Sequence, residues 1–146
     1  MIREAEAKDI PRIVELGSKS ISEGPYRDQL LDNPEVTRSL TAKMLSSENA
    51  HVLVAEDADG VFGLFAYILF PHYFSGELTA GEMIWYVVPE KRAGSPTSLE
   101  LLWKAQQSAK EKGAKRFQLT APTPEIGRMY SQMRFKEIET TYQREL

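Results

Sequence analysis

The stretch that decides the fold runs from Gly81 to Gly113 and reads GEMIWYVVPEKRAGSPTSLELLWKAQQSAKEKG. Its first part, Met83–Val88, is a dense run of β-branched and aromatic residues, which predicts a buried strand. Pro89 ends that strand because proline cannot donate to a ladder. The last part predicts an amphipathic helix, and Gly113 suits the C′ position after it. The stretch is therefore a strand, a short polar turn and a helix.

The turn, Lys91–Ser95, brings two cations, a glycine and a hydroxyl to the start of the helix. Pro96 suits the first helical position and Ser95 the cap before it. The first N–H groups of a helix have no internal acceptor and lie at the positive end of its dipole, so this turn is a candidate anion site. Pro96 itself brings no N–H, which removes one donor. An ordinary capped helix start would show the same Ser-Pro pair, and that interpretation stays open.

Length and composition indicate a single globular domain over residues 1–146, with 42% hydrophobic residues and a net charge of −3. The charge gives no indication of a nucleic-acid partner or an anionic membrane. No apolar run reaches the roughly 18 residues of a membrane span, and the N-terminus lacks a signal-peptide core, so we expect a cytoplasmic protein. The chain has no cysteine and two histidines, which excludes thiolate chemistry and leads us to expect no metal site.

The remaining segments alternate between strand and helix patterns. They predict strands and helices in the order β-α-α-β-β-β-α-β-α-β, with a hairpin at Asp57–Gly60 and a final strand over Phe135–Leu146. Three consecutive strands followed by β-α-β units imply an α/β fold (mixed α+β) with helices on the faces of a mixed sheet.

This order resembles the GNAT superfamily of acyltransferases over essentially the whole chain. The segments that carry the resemblance are IREAEAKDIPRIVEL, VLVAEDADGVFGLFAY, VVPEKRAGSPTSLELL and IGRMYSQMRF. The resemblance implies a central sheet of about six to seven strands flanked by about four helices. It also implies an N-acetyltransferase that moves the acetyl group of acetyl-CoA directly to a primary amine, of a small molecule or of a protein or peptide, in a ternary complex and without a metal.

Two motifs depart from the family pattern. The pyrophosphate loop, Arg/Gln-x-x-Gly-x-Gly/Ala, has Arg92 in place, but Ser95 and Thr97 stand at its small positions. The closing motif has Tyr130 and Phe135 in register, with arginine where glycine is common. The segments PHYF and EMIWYV most resemble small phage and prophage acetyltransferases, which would place the protein in a host cytoplasm.

The resemblance assigns roles to particular residues. The pyrophosphate would be bound by Arg92, Ala93, Gly94, Ser95, Thr97 and Ser98. The N–H of Val87, beyond a bulge in the fourth strand, would donate to the thioester carbonyl as charge develops there. The Val88 N–H and the Val87 carbonyl would bind the pantetheine arm, and Tyr130 would protonate the departing thiolate. Tyr130 would also suit a core position, with a hydroxyl that merely finds a partner.

An amine acceptor must lose a proton before it attacks, which calls for a carboxylate in a partly desolvated cleft. Glu82 is the first candidate for this base, and regular alternation places it on the same strand face as Ile84 and Tyr86. A polar residue at a strand entrance is the alternative interpretation of Glu82. His72 and Glu77 are the next candidates for the base.

The acceptor would be bound by Tyr26, His72, Tyr73 and Glu77, with Arg27, Phe74 and Tyr142 as further candidates. Each of these suits an ordinary surface or core position equally well. The altered loop also keeps a second class of function open, a non-catalytic acyl-CoA-binding or protein-interaction module on the same fold. A homodimer is compatible with the resemblance.

Overall fold

The computed structural model describes residues 1–146. Its strands and helices are β1 (Ile2–Glu4), α1 (Ile10–Glu23), α2 (Pro34–Leu45), β2 (Ala50–Asp57), β3 (Gly60–Pro71), β4 (Leu78–Val87), α3 (Thr97–Glu111), β5 (Arg116–Gln118) and α4 (Pro124–Gln132). Short 3-10 turns precede α1 and follow β4, at Ala7–Asp9 and Pro89–Lys91. The four helices and the order from β1 to α4 agree with the sequence prediction.

The sheet has five strands in the order β1-β2-β3-β4-β5. The first four pair antiparallel, and β5 pairs parallel to β4. Each face carries one apolar core. On one face, Leu16 of α1 and Met44 of α2 pack with Val54 and Leu64 of the sheet. On the other face, the buried side of α3 covers Phe65 and its neighbours.

A bulge interrupts the pairing of β3 with β4. Ala66 pairs with Ile84, but the next residue, Tyr67, pairs with Glu82, so Met83 is an extra residue on β4. Paired residues of neighbouring strands share a face, so Glu82 lies on the α3 face with Tyr67. The predicted alternation, which grouped Glu82 with Ile84, is therefore wrong at this point, because a bulge is set by pairing with another strand.

The parallel pairing of β4 with β5 covers only three residues on each strand, Thr79–Gly81 with Arg116–Gln118. Beyond Gly81, β4 continues to Val87 without β5 beside it. This leaves an opening, here called the cleft, between Glu82–Val87 of β4 on one side and Thr120 with α4 on the other. The cleft lies at the carboxyl end of both strands, where open α/β sheets bind ligands.

Two sequence predictions about boundaries are wrong. Residues 136–146 form no strand and are exposed, with Ile138 at 79% and Tyr142 at 91%, so the sheet has five strands instead of six or seven. A strand needs a partner and a face to bury, and this segment has neither. Helix α3 begins at Thr97 with Pro96 as its N-cap, one residue later than predicted, and the Ser95 hydroxyl accepts from the Thr97 N–H at 3.3 Å.

Candidate active site

Glu82 extends from the bulge across the cleft. Its Oε2 accepts a hydrogen bond of 2.9 Å from the backbone N–H of Thr120, just beyond β5. Burial raises the pKa of the Glu82 carboxyl above its ordinary value, and the Thr120 hydrogen bond offsets only part of that effect. A carboxylate with a raised pKa in a cleft is suited to accept a proton near neutral pH.

Tyr130 reaches the same backbone segment from α4. It is 7% exposed, and its hydroxyl donates to the Thr120 carbonyl at 3.0 Å. Its ring stacks on Trp85 of β4, with centroids 6.2 Å apart and planes 15° apart. Burial, and then the nearby Glu82 carboxylate, raise the pKa of Tyr130, so the phenol keeps its proton at physiological pH. Glu82 and Tyr130 therefore meet at the Thr120 backbone, where Glu82 accepts a hydrogen bond and Tyr130 donates one.

Val87 presents its backbone to the cleft. The Val88 N–H donates to the Phe62 carbonyl at 3.0 Å, so residues 62 and 88 occupy a hydrogen-bonding position of the ladder. Such pairs alternate along an antiparallel ladder, so the next pair, Gly63 with Val87, points its N–H and C=O groups away from the partner strand. The register thus directs the Val87 N–H toward the side that β5 leaves open, the direction that a thioester donor would need. The predicted contribution of the Val88 N–H is wrong, because β3 already takes it.

Arg92 is not free in this structure. Its Nε donates to the Val87 carbonyl at 2.6 Å and its Nη2 donates to Glu23 Oε2 at 2.9 Å. The guanidinium lies over the ring of Tyr86, 5.1 Å from its centroid, and the Tyr86 hydroxyl donates to Glu23 Oε1 at 2.7 Å. Burial alone would raise the pKa of Glu23, but the hydrogen bonds from Tyr86 and Arg92 leave it below its ordinary value.

The rest of the predicted loop is open to an anion. Gly94 adopts a positive φ of 70°, a conformation that glycine adopts at no steric cost. The hydroxyls of Ser95 and Thr97 lie 2.8 Å apart. The first backbone bond of α3 runs from the Glu100 N–H to the Pro96 carbonyl, which leaves the N–H groups of Ser98 and Leu99 without a partner in the chain. These donors could bind an anionic group beside the carboxyl end of β4, where α3 begins.

The structure resembles solved acetyltransferases over its whole length. A predicted acetyltransferase from Clostridium acetobutylicum, crystallised with acetyl-CoA, superposes with a TM-score of 0.80 at 16% identity, covering 99% of this chain and 95% of that one. An aminoglycoside acetyltransferase from an uncultured soil metagenomic sample gives 0.75 at 16% identity, covering 100% and 95%. A transcriptional regulator from Bacillus halodurans C-125 gives 0.81 at 21% identity, covering 100% and 99%. No protein-family model and no curated protein sequence matches the chain significantly.

The chain has the fold of these solved acetyltransferases. At these identities the likeness establishes the fold alone. The cleft described above lies between β4 on one side and Thr120 with α4 on the other.

Of the four residues predicted to bind an acceptor, three share one loop and Tyr26 lies apart from them. His72, Tyr73 and Glu77 lie in the β3–β4 loop, where Glu77 pairs with Arg116 at 3.5 Å and the His72 Nδ1 accepts from the Phe74 N–H at 3.2 Å. Glu77 stands five positions before Glu82, roughly 16 Å along an extended strand. Tyr26 is exposed in the loop after α1, which starts beside Glu23 and hence near the opposite end of β4.

Three residues of the site were not predicted from the sequence. Thr120 acts through its backbone, Trp85 stacks on Tyr130, and Glu23 pairs with a residue 69 positions away. Trp85 has a sequence signal, since it lies next to Tyr86 in the apolar and aromatic run of β4. Thr120 and Glu23 have none, because their roles arise from contacts between distant segments.

The structure shows no group of three or more His, Asp or Glu side chains placed to bind a metal ion. None of its helices has the length and apolar character that a membrane crossing requires.

Proposed function

We propose that this protein is an acetyl-CoA-dependent N-acetyltransferase that transfers the acetyl group directly to a primary amine in a ternary complex. The observation that supports this most is the meeting of Glu82 and Tyr130 at the Thr120 backbone, inside the cleft of a GNAT fold. A proton acceptor and a proton donor at one point are what amine acylation needs, since the amine loses a proton and the leaving thiolate gains one.

Acetyl-CoA would supply the activated acyl group, and this chain's residues would bind it and handle protons. The loop residues Ala93, Gly94, Ser95, Thr97 and Ser98 would hold the pyrophosphate. Their small side chains and unpartnered N–H groups suit an anion. The two cations of the loop already have carboxylate partners: Lys91 pairs with Asp57 at 2.7 Å, and Arg92 pairs with Glu23. The Val87 carbonyl has a second lone pair for the pantetheine arm.

In the reaction, the Glu82 carboxylate would take the proton of the amine, directly or through a water. The Val87 N–H would donate to the carbonyl oxygen on which negative charge develops, a contact worth about 3 kcal/mol of barrier in comparable sites. Tyr130 would release its hydroxyl from Thr120 and donate that proton to the departing sulfur.

The finer proposals rest on the sequence and on the likeness to solved structures. The acceptor would be a small-molecule amine or a protein or peptide amine; one structure of the same fold is an aminoglycoside acetyltransferase. Residues 1–146 would form one acetyltransferase domain of the phage or prophage type, working in the cytoplasm, as a monomer or a homodimer. Tyr26, His72, Tyr73 and Glu77 remain candidates for acceptor contacts.

Thermal unfolding with and without acetyl-CoA tests the proposal. A ligand at about 100 times its dissociation constant adds roughly 2.7 kcal/mol of stability, so the melting temperature should rise clearly. Ser98→Glu places a carboxylate at the start of α3 and should abolish the rise, whereas Ser39→Glu on α2 should preserve it. The absence of any rise in the unaltered protein would contradict the proposal.

A non-catalytic acyl-CoA-binding or interaction module is the second candidate. It is favoured by the proline in the loop, which removes one N–H donor, and by the likeness to a solved transcriptional regulator. Thiol release separates the two candidates, because the chain has no cysteine and a thiol reagent would report only coenzyme A. A module would bind acetyl-CoA without releasing thiol, and Glu82→Gln would leave its binding unchanged.

A further inference from the structure

Val87 lacks a neighbouring strand on the side where the proposed chemistry takes place. Its outward-facing carbonyl would be bonded to a partner strand in a continuous sheet, but β5 pairs with β4 only as far as Gly81. The group that bonds this carbonyl instead is the Arg92 Nε, at 2.6 Å. Arg92 therefore supplies the donor that the missing strand would have supplied.

Arg92 is itself held in place from α1. The Glu23 carboxylate accepts from Arg92 with one oxygen and from the Tyr86 hydroxyl with the other, at 2.9 and 2.7 Å. The planar guanidinium can bond a carbonyl and a carboxylate at the same time because its donors are arranged in a fixed fork. The last turn of α1, the end of β4 and the loop before α3 are thus joined through one side chain.

We propose that Glu23 and Arg92 are a positioning pair, which fixes the Val87 backbone so that its N–H is aimed into the cleft, and that Arg92 is not a pyrophosphate ligand. This rests on the proposed function, since the aimed N–H matters only if a thioester carbonyl is bound there. The pair acts through Val87 and need not touch either reactant.

The two roles for Arg92 make opposite predictions for Glu23→Ala. If Arg92 bound phosphate, removing Glu23 would release the guanidinium and tighten acetyl-CoA binding. If the pair positions Val87, binding stays nearly the same and turnover falls. A small misplacement of a reacting group can cost up to about 100-fold in rate, so we expect kcat to fall by at least about tenfold in both Glu23→Ala and Arg92→Ala.

The experiment measures acetyl-CoA dissociation constants by calorimetry and kcat by thiol release, with water or an amine as acceptor. Arg92→Lys keeps the charge but not the fork and should not rescue kcat. The double variant should lose no more than either single variant, because the two residues act as one unit.

The chain offers a matched control in Arg12, whose Nε donates to the Val61 carbonyl at 2.9 Å and whose Nη1 pairs with Glu15 at 2.8 Å. This arginine also bonds one backbone carbonyl and one carboxylate, but it sits at the start of β3. Glu15→Ala should leave both kcat and the dissociation constant unchanged.

Acetyl-CoA binding and kcat together distinguish failure of the proposed function from failure of the positioning pair. If the unaltered protein binds no acetyl-CoA, the proposed function fails and the positioning role falls with it. If the unaltered protein turns over but Arg92→Ala weakens acetyl-CoA binding with kcat preserved, Arg92 is a phosphate ligand and only the positioning pair is overturned. A Glu23→Ala variant as active as Glu15→Ala overturns it as well. Slow solvent exchange of the Arg92 Nε–H by NMR, lost in Glu23→Ala, would support the pair independently of catalysis.

Discussion

The environment of Glu82 determines the pH range in which its carboxylate can accept a proton. Burial raises the pKa of its carboxyl above the ordinary 4.5, and only the deprotonated form can accept a proton. Acetyl transfer should therefore increase as the pH rises through this raised pKa and then level off. Glu82→Gln should remove that acid-side limb and lower the plateau by about 100-fold or more. A pH profile of kcat/KM measures both, with Glu35→Gln on the exposed face of α2 as the control. A Glu82→Gln profile that keeps its limb would exclude Glu82 as the base.

Tyr130 has a ring that packs on Trp85 and a hydroxyl that can donate a proton, and two substitutions separate these two roles. Tyr130→Phe keeps the stack on Trp85 and removes one hydrogen bond to Thr120, so we expect about 1 kcal/mol of lost stability and at least a tenfold lower kcat. Tyr130→Ala also leaves a cavity and should cost about 3–5 kcal/mol. Urea unfolding and thiol release give the two values. Full activity in Tyr130→Phe would make this tyrosine a core aromatic only.

At the scale of elements, the close approach of β3 and β4 holds Val87. A Cβ at Gly63, the partner of Val87, would lie 2.9 Å from Val87 Cγ2 and 3.2 Å from the Tyr86 carbonyl oxygen. Gly63→Ala should therefore push β4 outward, cost about 1–3 kcal/mol of stability and reduce kcat more than acetyl-CoA binding.

Gly127 in α4 is the contrasting case, since a Cβ there would meet the Ala121 Cβ at an ordinary 3.6 Å. Gly127→Ala should stabilise the protein by about 0.5–1 kcal/mol. Urea unfolding measures both values, and equal changes in the free energy of unfolding for Gly63→Ala and Gly127→Ala would contradict this account.

At the scale of the whole molecule, a network of charges ties the N-terminal strand to β2 and α1. Arg3 bonds Glu56 at 2.9 Å and Asp9 at 2.8 Å, and the Asp9 carboxylate also accepts from the Glu6 N–H. Asp9 is 5% exposed, and the hydrogen bonds from Arg3 lower the pKa of its carboxyl below the ordinary 3.8.

This network predicts how stability depends on pH. Because the folded-state pKa of Asp9 is depressed, its contribution is fully present above pH 3.8 and is lost as the pH falls through the folded-state value. Asp9→Asn should cost about 1–3 kcal/mol at neutral pH and flatten the decline in acid. Urea unfolding from neutral to acid pH measures this, with Asp28→Asn in an exposed loop as the control. If the stability of Asp9→Asn declines in acid as steeply as that of the unaltered protein, the acid sensitivity belongs to other groups.

Much of the fold follows from local sequence. The hairpin at Asp57–Gly60 forms as predicted, with Gly60 at a φ of 108°, and Gly113 takes its positive φ after α3. These features depend on turn chemistry within a few residues, which the sequence states directly. The final strand was predicted from a local pattern as well, but a strand also needs a partner, and none lies beside residues 136–146.

The sequence by itself determined the order of strands and helices, the polar turn before α3 and the types of residue available for proton transfer. The tertiary structure decided which of them meet. Met83 becomes a bulge only through the register of β3, and this turns Glu82 to the face where α4 brings Tyr130 to Thr120. Arg92 bonds Val87 and Glu23 only because β5 diverges and α1 ends beside β4. Hydrogen-bond partners far apart in the chain are chosen by packing, and no local pattern of residues encodes that choice.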